Sequence, residues 1–310
     1  MSQASLFATH DGDIVLRAGT EPDSKHDFRV HKFILSLASS VFKDMFAFPQ
    51  PSDQTLNEHQ LPVVDVSDPP EVLDVILRLI YPGVEPPKIT EPKTLSASFL
   101  TADKYNITSI YPILRENLKT FLPNRSLWVY IIACRFGFLE EKKQAAKLTS
   151  SESFQWFEDR EVIQLISSTD LFRLFEFIQL RESEGRIKIG WSLAPMNVTS
   201  ETECEHKGRE TQYYYSQLEK EVWRAFVSNP CVGPNDLFAV VDSVHDPPPG
   251  CDPLPESGDW YSVMPPEDDE DYDAFKCPLQ PMTTRRKLVD VADRLRRYNE
   301  ELLQRFFGDV

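Results

Sequence analysis

The chain has 310 residues, 41% of them apolar and 11% aromatic, which supports a folded core and argues against disorder along the whole length. A formal net charge of -16 gains nothing from counterion release on a phosphate backbone and is repelled by anionic lipid, so neither nucleic acid nor a membrane is an expected partner. No run approaches the roughly 20 apolar residues of a membrane span. The opening MSQASLFATHDGD has neither a basic leader nor an apolar stretch, so no secretory signal is expected.

In chain order, Asp13 to Arg17 reads as a short strand with Ile14 and Leu16 on one face. A polar loop, Gly19 to Lys25, leads to a second strand in which Phe28 and Val30 alternate with polar neighbours, giving a β-hairpin. The run HKFILSLASSVFKDMFAF then places Phe33, Ile34, Leu37, Val41, Phe42, Met45 and Phe46 at helical spacing. Ser39 and Ser40 interrupt it, and serine favours caps over interiors, so two short paired helices are expected, with these apolar positions mostly in the core. A polar loop (Pro49 to Gln60) precedes a third strand, Pro62 to Val66. A helix starting near Pro70 follows and stops at Pro82-Gly83. Two more amphipathic helices, TLSASFLTADKYN and SIYPILRENLKTFL, close this first core near Leu122.

From Ser126 to about Glu184 the periodicity is helical throughout, with a break at Gly137. Arg186 to Leu193 alternates and reads as a strand, followed by a polar loop and the helix TQYYYSQLEKEVWRAFVS. Residues 246–281 are rich in Pro, Asp and Glu and read as an exposed loop; residues 282–310 form a strongly amphipathic helix expected to pack back on the helical region. The expected divisions are thus a tail over 1–10, a first domain over 11–122, a helical domain over 123–245, the acidic loop and the final helix.

Five cysteines (Cys134, Cys204, Cys231, Cys251 and Cys277), odd in number and widely spaced, suit free thiols in the cytoplasm, the nucleus or both. The one metal-like grouping is Cys204-x-His206 with Cys231 and Cys251 downstream. A structural zinc site wants four ligands, usually in two close pairs; only one close pair exists, so no metal is expected. The acidic run Glu267 to Asp271 and the basic cluster Arg285-Arg286-Lys287 read as solvated charge, partly neutralising each other. Phosphate loops, H-E-x-x-H and G-x-S-x-G are absent and nothing selects a catalytic carboxylate pair, so neither a catalytic residue nor a cofactor is expected.

The string GDIVLR followed by DFRVHKFILSLASSVFKDMF, with the later LRLIYPG and ADKYNI, resembles the signature of the BTB/POZ domain over roughly residues 11 to 122. The chain style and the run Val129 to Lys147 are similar to fungal BTB proteins. The resemblance implies a small α/β (α+β) BTB/POZ fold of short strands and clustered helices, followed by a mostly α-helical C-terminal region. It implies protein binding and homodimerisation through the N-terminal segment and first helix. Asp13 and Lys32 match positions where the family tends to carry an acid and a base near the dimer-associated pocket, either as a pair or as a turn acid and a solvated lysine. His31 matches the family's histidine at the first helix and is expected to be structural. Some family members bridge clients to a cullin-type ubiquitin ligase through a hydrophobic-x-acidic triplet before the third strand; Leu56-Asn57-Glu58 occupies that neighbourhood, as docking motif or plain loop. The partners implied are a second copy, a cullin scaffold and an unknown client, against an alternative dimeric scaffold or transcription-linked regulator with no ligase connection. No kelch, zinc-finger, ankyrin or MATH-like unit is present to identify the client.

Overall fold

The structure, a computed structural model, describes residues 7, 11–20, 25–48, 60–150, 152–155, 160–193, 209–229, 231, 233–243 and 281–308. The chain divides into two compact units, Met1–Asn124 and Arg125–Val310. Among the described residues no helix is long and apolar enough to cross a membrane.

In the first unit, β1 (Ile14–Ala18) is the middle strand of a three-stranded sheet. It pairs antiparallel with β2 (His26–Val30), setting Ile14 opposite Val30 and Leu16 opposite Phe28. It pairs parallel with β3 (Val63–Val66), with Val15 beside Val63. Ile14, Val15 and Leu16 are all buried, so β1 is covered on both faces, beyond the one-sided strand that its alternation suggests. β2 keeps the alternation, burying only Phe28 and Val30.

The helical pair is α1 (Lys32–Ala38) and α2 (Ser40–Ala47). Ser39 separates them in an extended conformation, ending one helix and capping the other: its Oγ accepts from the Phe42 N–H at 3.0 Å. The expectation that Phe33 and Leu37 are core is corrected here, because they are 76% and 79% exposed. The extended residue resets the helical phase. Leu35 alone in α1 and Phe42 alone in α2 become fully buried, and Phe33 and Leu37, one turn apart, face outward.

α3 (Pro70–Ile80) begins on a proline whose missing N–H costs nothing in a first turn, and buries Val72, Leu73, Val75, Ile76 and Leu77. It packs on α4 (Pro92–Lys104), which buries Leu95, Phe99 and Ala102; the Leu and Phe side chains each contribute roughly 1.5–3 kcal/mol. A 3₁₀ turn, Thr108–Ile110, leads into α5 (Tyr111–Lys119), with Leu114 and Leu118 inward.

The second unit is helical. In α6 (Ser126–Phe136) every residue from Ser126 to Ala133 is buried, so the helix is covered all round. Gly137 ends it in the left-handed region (φ 72°), which a side chain would strain. Then come α7 (Leu139–Leu148) and two single turns, α8 (Glu152–Gln155) and α9 (Arg160–Ile163). The long helices are α10 (Ser168–Leu193), α11 (Arg209–Ser228), α12 (Pro234–Ser243) and α13 (Pro281–Phe307). The strand expected over Arg186 to Leu193 is instead the last two turns of α10. Ile189 and Leu193, four apart, are buried with Leu218, Val222 and Phe226 of α11 and Leu288, Val291 and Leu295 of α13. That shared apolar cluster sets the helical period.

Candidate protein-interaction surface

The residues around the start of α1 hold that helix in place. His31 is its N-cap, extended at φ -104° and ψ 123°, and its side chain makes no cap bond. The Asp13 Oδ1 accepts from the Lys32 N–H at 2.8 Å, across 19 residues of sequence. Asp13 and Lys32 therefore meet through the Lys32 main chain, where a carboxylate opposes the positive end of the helix dipole. His31 donates its N–H to the Tyr81 hydroxyl at 2.7 Å, and its Nε2 lies 3.2 Å from Asp11. Burial pushes the Tyr81 phenol above its ordinary range, against the His31 hydrogen bond, which pulls the other way.

On this footing α1 presents Phe33 and Leu37 to solvent; Phe48, after α2, is also largely exposed. Large apolar side chains at successive turns of an exposed face are the feature expected of a surface that another protein covers.

The support behind that face is polar and buried. Asp68, at the end of β3, accepts from the Tyr105 hydroxyl at 2.5 Å, the Lys104 ammonium at 2.8 Å and the Thr101 hydroxyl at 3.1 Å. Its own carbonyl accepts the Gly19 N–H at 3.0 Å. Burial, then the bond to Asp68, drives the Tyr105 phenol far above its usual range, so it stays a donor at every physiological pH. The Tyr105 ring stacks on Phe42 (centroids 4.5 Å apart), and its carbonyl accepts from the Ser39 hydroxyl at 2.5 Å. Asn106, at φ 53°, donates from its amide to Ser40 at 2.9 Å. The motif ADKYNI is thus a clamp from α4 to β3, on Asp68, and to the α1–α2 junction. Asp68 escapes a sequence reading because its partners stand more than 30 residues away. Phe7 was missed too: it is buried, 5.0 Å from the Tyr81 ring, and its carbonyl accepts from Arg29 at 2.9 Å.

Leu56, Asn57 and Glu58 lie outside the described residues, as do Cys204, His206, Cys251, Cys277 and the run Glu267 to Asp271. Cys134 and Cys231 are free thiols, and burial pushes the Cys134 thiol up to about 11. Among the described residues no three His, Cys, Asp or Glu side chains are grouped to hold a metal ion. Arg285, Arg286 and Lys287 fall in the first turns of α13, where burial lowers the Lys287 ammonium.

A small sheet capped by clustered helices, with an apolar helix face turned outward on a buried polar clamp, defines a protein–protein interaction module. Residues 6–122 match the family model of the BTB/POZ domain, and this part of the chain is a BTB/POZ domain. The match begins near Phe7, upstream of the Asp11 start read from the sequence. BTB/POZ domains bind proteins and are generally non-enzymatic. No curated protein matches the chain.

Proposed function

We propose that the protein is a non-enzymatic platform that self-associates through the α1 face and presents its helical C-terminal unit to a client. One observation carries the reading: Phe33 and Leu37, one turn apart, are each more than three-quarters exposed although both are large and apolar. A twofold axis across such a face lets each copy cover the other's pair, and closed twofold pairing is the commonest oligomer symmetry. The test is sedimentation velocity of the full chain. Wild type sediments as a dimer well above about 1 μM, and a Phe33→Asp, Leu37→Asp variant sediments as a folded monomer. A monomeric wild type, or an unaltered dimer in the variant, removes the proposal.

A cullin-adaptor role is the narrower version of the same reading. It is supported by the sequence Leu56-Asn57-Glu58 and by the BTB/POZ match over 6–122. Capture of a cullin N-terminal domain by wild type, lost in Leu56→Asp, Glu58→Lys, supports the adaptor. Wild type that captures none leaves the dimeric scaffold or transcription-linked regulator.

A further inference from the structure

We infer that the outer seam between α10 and α13 is the docking surface for an acidic segment of this same chain, Glu267–Asp273. Within the second unit the two helices pack along each other, and one stretch of their seam is lined by Lys188 and Trp191 from α10 with Arg294, Arg297, Tyr298 and Glu301 from α13. Spacings of three, four and seven put these residues on neighbouring faces. Trp191 is 80% exposed, the most open of the large apolar side chains among the described residues, and Arg294 and Arg297 are exposed as well. The Lys188 ammonium lies 4.6 Å from the centre of the Tyr298 ring. Three cations thus face Glu301 and, near the Tyr298 hydroxyl, Glu184. Further along, the seam is lined by Arg305, Phe306 and Arg173, with Glu176 as the acid. Cations outnumber acids along this seam, on a chain whose net charge is -16.

The densest complementary charge stands between α12 and α13 in sequence. Residues 246–280 carry ten acids and one lysine, and EDDEDYD over 267–273 is the densest part, with Tyr272 and Phe275 at its end. This segment joins the end of α12 to the start of α13, so both of its ends are fixed to helices of the same unit. Arg294 and Arg297 lie about 20–24 Å along α13 from Pro281, at 1.5 Å per residue. The ten steps from Asp271 to Pro281 span up to about 33 Å when extended, which covers that distance. A tether of this length holds the segment at roughly millimolar effective concentration, enough for a modest charge-and-stacking contact to be occupied. A nucleic acid would meet the same cations but pay the repulsion of the whole chain.

The test is zero-length carbodiimide cross-linking of the full chain, mixed from equal parts of 14N and 15N protein and read by mass spectrometry. The expected result is an amide between Lys188 and a carboxyl of residues 267–273, formed within one chain. The Lys147–Glu300 ion pair of the same unit supplies a positive control. The link disappears in an Arg294→Glu, Arg297→Glu variant that keeps the Lys147–Glu300 link, and so remains folded. It also disappears when the six acids of 267–273 are changed to their amides. Absence of the Lys188 link beside an intact control, its persistence in the Arg294→Glu, Arg297→Glu variant, or its formation only between differently labelled chains each overturns the proposal. The last outcome makes the occupant a second copy.

Discussion

The two units solve the same problem, fixing a chain in one arrangement, with opposite means. In the first, a three-stranded sheet and, among the described residues, six short helical segments bring many chain ends together, and the ends are tied by a buried polar cluster centred on Asp68 and Tyr105. In the second, long helices share an apolar cluster, and a buried cation, Arg181, serves a helix end. The Arg181 guanidinium donates to the carbonyls of Lys147 at 3.1 Å and Thr149 at 2.5 Å, filling acceptors that α7 leaves open at its C-terminus. Burial lowers it only to about 10, so it remains charged. The contrast teaches that short elements need directional bonds to fix their register, whereas long helices rest first on a shared apolar cluster.

The sharpest way to break the comparison is to remove the centre of the polar cluster. Asp68→Ala leaves the Tyr105 hydroxyl and the Thr101 hydroxyl without their acceptor, and should cost about 3 kcal/mol in urea unfolding followed by the first unit's signals alone. Equal loss in both units would mean that they do not unfold separately. Arg181→Met keeps the volume but strands the α7 carbonyls. It should cost about 2 kcal/mol in the second unit, and Arg181→Lys should not restore it, because only the planar fork reaches two carbonyls. Ser39→Ala removes both the α2 cap and the bond to the Tyr105 carbonyl, for about 1 kcal/mol in the first unit.

The smallest effect is set by pH. Burial would raise the Asp170 carboxyl, but hydrogen bonds from Lys142 and Ser167 outweigh it and hold the group below its ordinary range. A depressed carboxyl stabilises the fold above its unfolded value and loses that contribution as pH falls through the folded one. Thermal melts of the second unit should therefore weaken below about pH 4, and Asp170→Asn should flatten that slope.

The separators in this chain were legible because their residue types act locally: Ser39 caps, Pro70 starts a helix, Pro82-Gly83 stops one and Gly137 takes a left-handed conformation. The sidedness of α1 was not, since one extended residue rotates every side chain before it relative to those after it. Nor was the end of α10. Ile187, Ile189 and Trp191 alternate like a strand, and two periods cannot be told apart over eight residues until Leu218 and Leu288 choose one. Of the site residues, His31 and Asp13 were visible through the family signature. Asp68 and Arg181 were hidden because their partners come from distant turns.

Gly12 bears on the exposed α1 face although it lies outside that helix. A Cβ there would lie 2.2 Å from the Val30 carbonyl oxygen, so β2 would have to retreat from β1. The next residue, Asp13, is the one that holds the first N–H of α1. A single methyl group at position 12 would act as a wedge, tilting the helix that bears Phe33 and Leu37 without altering either. Variants that lose partners should accordingly be found at this hinge as well as on the exposed face, and a screen confined to surface residues would overlook them.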